Sequence, residues 1–136
     1  MLPEGRFILD TSALLALRGN EAGAGEIESL LKQAENRASP VLVSFMSRME
    51  ILYLIWREEG EAAAREALRL IDTFPIEWVS CDPDILETAA SFKAKGGLSV
   101  ADCWIAATAI ARKAKLIHKD PEFTRFESLP QQFLKA

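Results

Sequence analysis

Short runs of apolar residues alternate with longer amphipathic stretches along the chain. Phe7-Ile8-Leu9, Val41-Leu42-Val43, residues 76–79 and the pair Leu116-Ile117 are each closed off by charged or turn-forming residues, as in parallel strands buried on both faces. Between them the apolar spacing changes to three and four. Residues 12–20 predict a short helix closed by Gly19 and Asn20, with Thr11 or Ser12 as its cap. Ile27, Leu30, Leu31 and Ala34 mark a second helix, and Ala64, Leu68 and Ile71 form the core stripe of another over 61–73. Residues 84–95 predict a helix with Leu86, Ala89, Ala90 and Phe92 turned inward. After the Ser99 cap, Val100, Cys103, Trp104, Ala107, Ile110 and Ala114 share one face of a buried helix. Residues 47–59 differ, because Met49, Ile51, Leu52, Tyr53, Leu54, Ile55 and Trp56 leave almost no polar face. That helix needs cover on several sides, from the sheet and, as one option, from another subunit. Residues 129–133 give only a weak signal of order.

Strands alternating with helices over short connections define an α/β fold, a three-layer α/β/α sandwich on a mostly parallel central sheet. The 136 residues, 49% hydrophobic and 26% charged, suit a single domain spanning 1–136. No apolar run approaches membrane-spanning length, and the N-terminal sequence lacks a cationic start followed by an apolar stretch, so a cytoplasmic protein is expected. Cys81 and Cys103 have no zinc-motif spacing and are expected to be reduced thiols, Cys103 as a small core residue. A net charge of −4 argues against broad non-specific nucleic-acid binding. Seven cations, Lys93, Lys95, Arg112, Lys113, Lys115, Lys119 and Arg125, nevertheless gather in the last third around Asp102, Asp120, Glu122 and Glu127. They form either a solvated helix surface or a basic wall about an acidic centre.

Four acids stand at strand ends or in first helical turns: Asp10, Glu50, Asp102 and Asp120. Each has a structural explanation. Asp10 can cap the following helix, Ser47-x-x-Glu50 and Ser99-x-x-Asp102 read as capping boxes, and Asp120 before Pro121 is an ordinary turn residue. As a set they mean more, because the alternating topology sends all four toward one edge of the sheet, where ligands bind in open α/β folds. Carboxylates gathered there repel one another unless a proton or cation intervenes, and one of them is expected to hold its proton unusually tightly without a metal. Clustered carboxylate oxygens suit Mg²⁺ or Mn²⁺, ions that keep waters and bind substrate phosphate, so phosphodiester hydrolysis is the natural chemistry.

FILDTSALLAL, SFMSRMEILYLI and LSVADCWIAATAIARKAKLIHKDPEF resemble, in order and spacing, the successive motifs of PIN-domain ribonucleases, and most closely VapC-type toxins of prokaryotic toxin–antitoxin pairs. The resemblance spans residues 6–126. It implies a Mg²⁺- or Mn²⁺-dependent endoribonuclease acting on structured RNA such as tRNA or rRNA. Asp10, Glu50 and Asp102 match the three principal acidic ligands, Asp120 the fourth, and Thr11 or Ser12 the hydroxyl residue supporting the first. A homodimer and a cognate antitoxin protein, whose Arg-bearing tail enters the acidic cleft, are implied in the same way. His118, the one histidine, departs from the Thr or Ser common in relatives and reads as a hydrogen-bonded strand-end residue rather than a catalytic one.

Other chemistries lack their residues. No G-x-S-x-G elbow, P-loop or dinucleotide glycine pattern occurs, and Ser12 stands where an aspartyl-phosphate enzyme needs its second Asp. The remaining alternative is a non-catalytic PIN-like module that binds RNA or protein and uses its acids as caps.

Overall fold

In the computed structural model residues 5–134 are described; the first four and last two residues of the expected 1–136 domain lie outside them. Five strands, β1 (Arg6–Leu9), β2 (Val41–Ser44), β3 (Ile76–Val79), β4 (Ala114–His118) and β5 (Gln131–Phe133), form a sheet in the order β3-β2-β1-β4-β5. All neighbouring pairs are parallel. The described helices are α1 (Thr11–Arg18), α2 (Ala24–Arg37), α3 (Phe45–Glu59), α4 (Glu61–Ile71), α5 (Pro83–Lys95) and α6 (Val100–Ala111), with a 3-10 helix at Pro121–Arg125.

The two-residue period of the strands divides the core. Ile8, Leu42 and Leu116 pack with residues of α5 and α6. Phe7, Leu9, Val41, Val43 and Ile117 pack with residues of α1 to α4 on the other face. Both faces are covered, which is why the strands read as continuous apolar runs.

Several expected details shift. In α5 the buried residues are Ile85, Ala89 and Phe92, whereas Leu86 and Ala90 are exposed. Asp82 caps the helix and Pro83 opens it, which sets the inward stripe at 85, 89 and 92, one position from the expected phase. Val100 is exposed and Ala114 belongs to β4, while residues 105–109 of α6 are buried all round against α5, β4 and α3. Helix α3 starts two residues earlier than expected, with Ser44 as cap accepting from the Met46 N–H at 3.1 Å. Ser47 is therefore a fully buried helical residue, and Ser47-x-x-Glu50 is not a capping box. The weak signal at 129–133 resolves into β5.

Candidate metal centre

The chain runs from β1 out through β2 to β3, then crosses back to β4 and β5 on the other side of β1. The C-terminal ends of β1 and β4 thus meet at a topological switch point, the place where a parallel sheet opens a crevice. Asp10 follows β1, and Asp120 lies two residues beyond β4.

Asp10 caps α1 and is 2% exposed. Its Oδ1 accepts the Ala13 N–H at 2.8 Å, and the Ser12 hydroxyl donates to the carboxylate, lying 2.8 and 2.7 Å from its two oxygens. Ser12 Oγ in turn accepts the Lys119 N–H at 2.9 Å, so one hydroxyl joins the ends of β1 and β4. Those bonds favour the ionised form, yet burial outweighs them and, with the charge of Asp120, lifts Asp10 to a pKa of about 7. Glu50 is held by Thr11, the first residue of α1. Thr11 donates to its Oε1 at 2.6 Å and, with that proton committed, accepts from Ser47 across 2.9 Å.

Asp102 stands in the first turn of α6, its N–H donated to the Ser99 hydroxyl at 3.1 Å. Burial, then the charge and hydrogen bond of Asp120, then the charges of Asp10 and Glu50 raise its pKa to about 7. Asp120 caps the 3-10 helix and accepts the Glu122 N–H at 2.9 Å, turning the next acid back toward itself. Asp102, Asp120 and Glu122 each offer a carboxylate oxygen, and these oxygens lie within 4.8 Å of one another.

Of the four predicted acids, Asp102 and Asp120 are therefore brought together directly, while Asp10 and Glu50 lie outside this cluster of oxygens, Asp10 tied to the end of β4 through Ser12 and Glu50 tied to Thr11 beside Asp10. Glu122 is the acid that the sequence reading counted only as part of the charge distribution. The signal for it is the D-P-E spacing, where a proline that starts a tight helical turn sets two carboxylates side by side. The structural explanations also survive for three of the four, since Asp10 and Asp120 are caps and Asp102 sits in half a capping box. Capping explains their positions. It does not explain why burial, with the charge of neighbouring acids added, is allowed to raise two carboxyl groups to about 7.

An all-carboxylate donor set with three oxygens inside 4.8 Å fits a hard divalent cation. His118 is not a ligand in this arrangement, because its Nδ1 lone pair accepts the Asp120 N–H at 3.1 Å. The basic wall is partly tied down: Arg112 pairs with Asp82, Lys93 donates to Leu98 O, Arg125 to Gly97 O and Lys119 to Ala22 O.

A parallel α/β sheet with acids converging at its switch point defines the class of fold and a candidate metal site, and the sequence places it more closely. Residues 7–129 match the family model of the PIN domain, and the chain belongs to that family. No curated protein matches it in sequence. Among solved structures, VapBC2 from Rickettsia felis bound to a DNA fragment from their promoter has a chain similar at 16% identity and TM-score 0.78, covering 96% of this chain and 100% of that one. A toxin-antitoxin complex from Klebsiella pneumoniae gives 21% identity and TM-score 0.67 over 96% and 98%. VapC20 of Mycobacterium tuberculosis, a Sarcin-Ricin loop cleaving toxin, gives 20% and 0.67 over 88% and 93%. Identities this low speak for the shared fold alone; the family rests on the PIN-domain match.

Proposed function

We propose that this protein is a Mg²⁺- or Mn²⁺-dependent endoribonuclease that hydrolyses phosphodiester bonds of structured RNA, tRNA or rRNA, as the toxin of a type II toxin–antitoxin pair. The observation that carries the reading is the convergence of Asp102, Asp120 and Glu122 oxygens within 4.8 Å beside buried Asp10 at the switch point. Asp10, Glu50, Asp102 and Asp120 are the proposed ligands and catalytic residues, with Glu122 added from the geometry. When bound, the cation supplies the positive charge that holds a scissile phosphate and offsets the charge building up on it in the transition state. The chain's own groups prepare that site. Ser12 and the Ala13 N–H fix the Asp10 carboxylate, Thr11 fixes Glu50, and burial together with the charge of Asp120 makes Asp102 hold its proton more tightly than an ordinary carboxyl group.

A cognate antitoxin is the proposed partner, a reading supported by the fold shared with chains of toxin–antitoxin complexes. A homodimer is proposed from Met49, Tyr53 and Trp56, an exposed apolar stripe on α3. No helix among the described residues is long and apolar enough to cross a membrane, and the cytoplasm is the proposed location. The caps formed by Asp10 and Asp120 favour the second reading, a PIN-like binding module without catalysis.

Incubating a total tRNA and rRNA pool with Mg²⁺, Mn²⁺ or EDTA, beside Asp102→Asn, separates the two readings. Discrete fragments that vanish with EDTA and in the variant are expected. No cleavage by folded, inhibitor-free protein under any condition would move the conclusion to the binding module.

A further inference from the structure

His118 and Gln131 lie outside the acidic cluster, yet their hydrogen bonds have one self-consistent arrangement, and it ends on the cluster. The Gln131 amide NH₂ is 2.8 Å from Phe123 O and 3.0 Å from Phe126 O, two carbonyls that only accept. Its NH₂ must face them, which leaves Gln131 Oε1 as an acceptor 2.8 Å from His118 Nε2. His118 therefore carries its proton on Nε2, and its bare Nδ1 accepts the Asp120 N–H at 3.1 Å. The imidazole is fully buried between the rings of Phe123 and Phe133, with centroids at 4.9 and 5.6 Å. Backbone bonds complete the attachment: Leu134 N donates to His118 O at 2.7 Å, and Leu116 N to Pro130 O at 2.8 Å.

We propose that His118 and Gln131 are positioning residues, a latch through which the C-terminal strand β5 sets the Asp120–Glu122 turn and thereby the affinity of the acidic cluster for a divalent cation. The proposal rests on the metal-binding reading above and deepens it. Gln131 grips the 3-10 helix from beyond its far end, and His118 grips Asp120 at its near end, so the two acids on this helix are clamped at both sides. Removing Gln131 leaves the turn attached to β4 by chain connectivity but frees its carbonyls and the His118 ring. Groups that orient metal ligands without touching the metal typically change affinity by roughly 10- to 100-fold when lost.

The test is Mn²⁺ affinity, read by electron paramagnetic resonance, of the native chain, Gln131→Met and His118→Ala, with near-ultraviolet circular dichroism and melting recorded on the same samples. Gln131 is only half-buried, so Gln131→Met keeps length and packing and serves if His118→Ala does not fold. Mn²⁺ binding weakened about tenfold or more in folded Gln131→Met, well below its melting temperature, is expected. Unchanged affinity beside a lowered melting temperature would reduce the pair to a fold-stabilising role and overturn the latch. Long-range ¹H–¹⁵N spectra of His118 should show the Nε2–H tautomer with and without Mg²⁺; an Nδ1–H tautomer would also overturn it. A native chain that binds no Mn²⁺ would overturn the metal reading itself, an outcome distinct from the variant failing to differ.

Discussion

At the residue scale, the two raised carboxyl groups make the metal-free protein sensitive to pH in a direction fixed by their shifts. Asp10 and Asp102 move from an ordinary 3.8 to about 7, so between these values the folded chain holds protons that the unfolded chain has already released. Their contribution to stability is fully present below about pH 4 and is lost as pH rises through 7. For buried Asp10 the loss is several kcal/mol at most, at about 1.4 kcal/mol per unit. Urea denaturation in EDTA from pH 4.5 to 8 should show stability falling across this window, and Asp10→Asn should flatten the slope while abolishing cleavage. A flat native profile would contradict a crowded cleft. The same linkage predicts that divalent cations bind more tightly as pH rises toward 7 and expel protons as they bind. Calorimetry of Mn²⁺ binding in two buffers of different ionisation enthalpy measures that release; identical heats would mean that the acids were already ionised.

At the element scale, the start of α6 depends on a tether from elsewhere. Gly97 has φ +97°, and a Cβ built on it would collide with the Arg125 guanidinium that donates to Gly97 O at 2.8 Å. Gly97→Ala would therefore strain the backbone, by about 1–3 kcal/mol, and displace Arg125 from the loop that leads to Ser99 and Asp102. A lower melting temperature and weaker cleavage are expected; Arg125→Ala, which removes the clash partner, should lose less stability than Gly97→Ala. This contact joins residues 28 positions apart, and nothing in the local pattern announces it. The same limit marks what was legible in the sequence. Strand positions and the switch-point acids could be read because apolar runs and cap residues act locally. The phase of α5 could not, because Leu86 and Ile85 are equally apolar and only the Asp82 cap decides which faces inward. The role of Ser47 was hidden likewise, since Ser44 three residues earlier is as good a cap and leaves Ser47 free to pair with Thr11. Glu122 needed the tight turn after Pro121 to bring it to Asp120.

At the scale of the whole molecule, α3 carries an apolar surface that the described residues leave exposed. Met49, Tyr53 and Trp56, at 55%, 38% and 42% exposure, recur at offsets of four and three on one side of the helix. Arg57 lies over the Tyr53 ring at 5.5 Å and Arg65 over Trp56 at 5.6 Å, so a polar rim borders the stripe. Phe45 packs edge-on to Trp104 at 5.3 Å, which carries the apolar surface from α3 onto α6, where Val100 is exposed. An apolar centre with a polar rim is the anatomy of a protein–protein interface. If the proposed homodimer uses it, Met49→Glu combined with Trp56→Glu should turn a dimer into a monomer in sedimentation velocity, with Mn²⁺ affinity recorded on the same variant because Met49 adjoins Glu50. Cleavage measured on that monomer then separates two roles for assembly. Retained activity means that one cleft suffices for the RNA, whereas lost activity with intact Mn²⁺ binding means that the substrate needs the surface of both copies. A double variant that remains dimeric would exclude the α3 stripe as the interface.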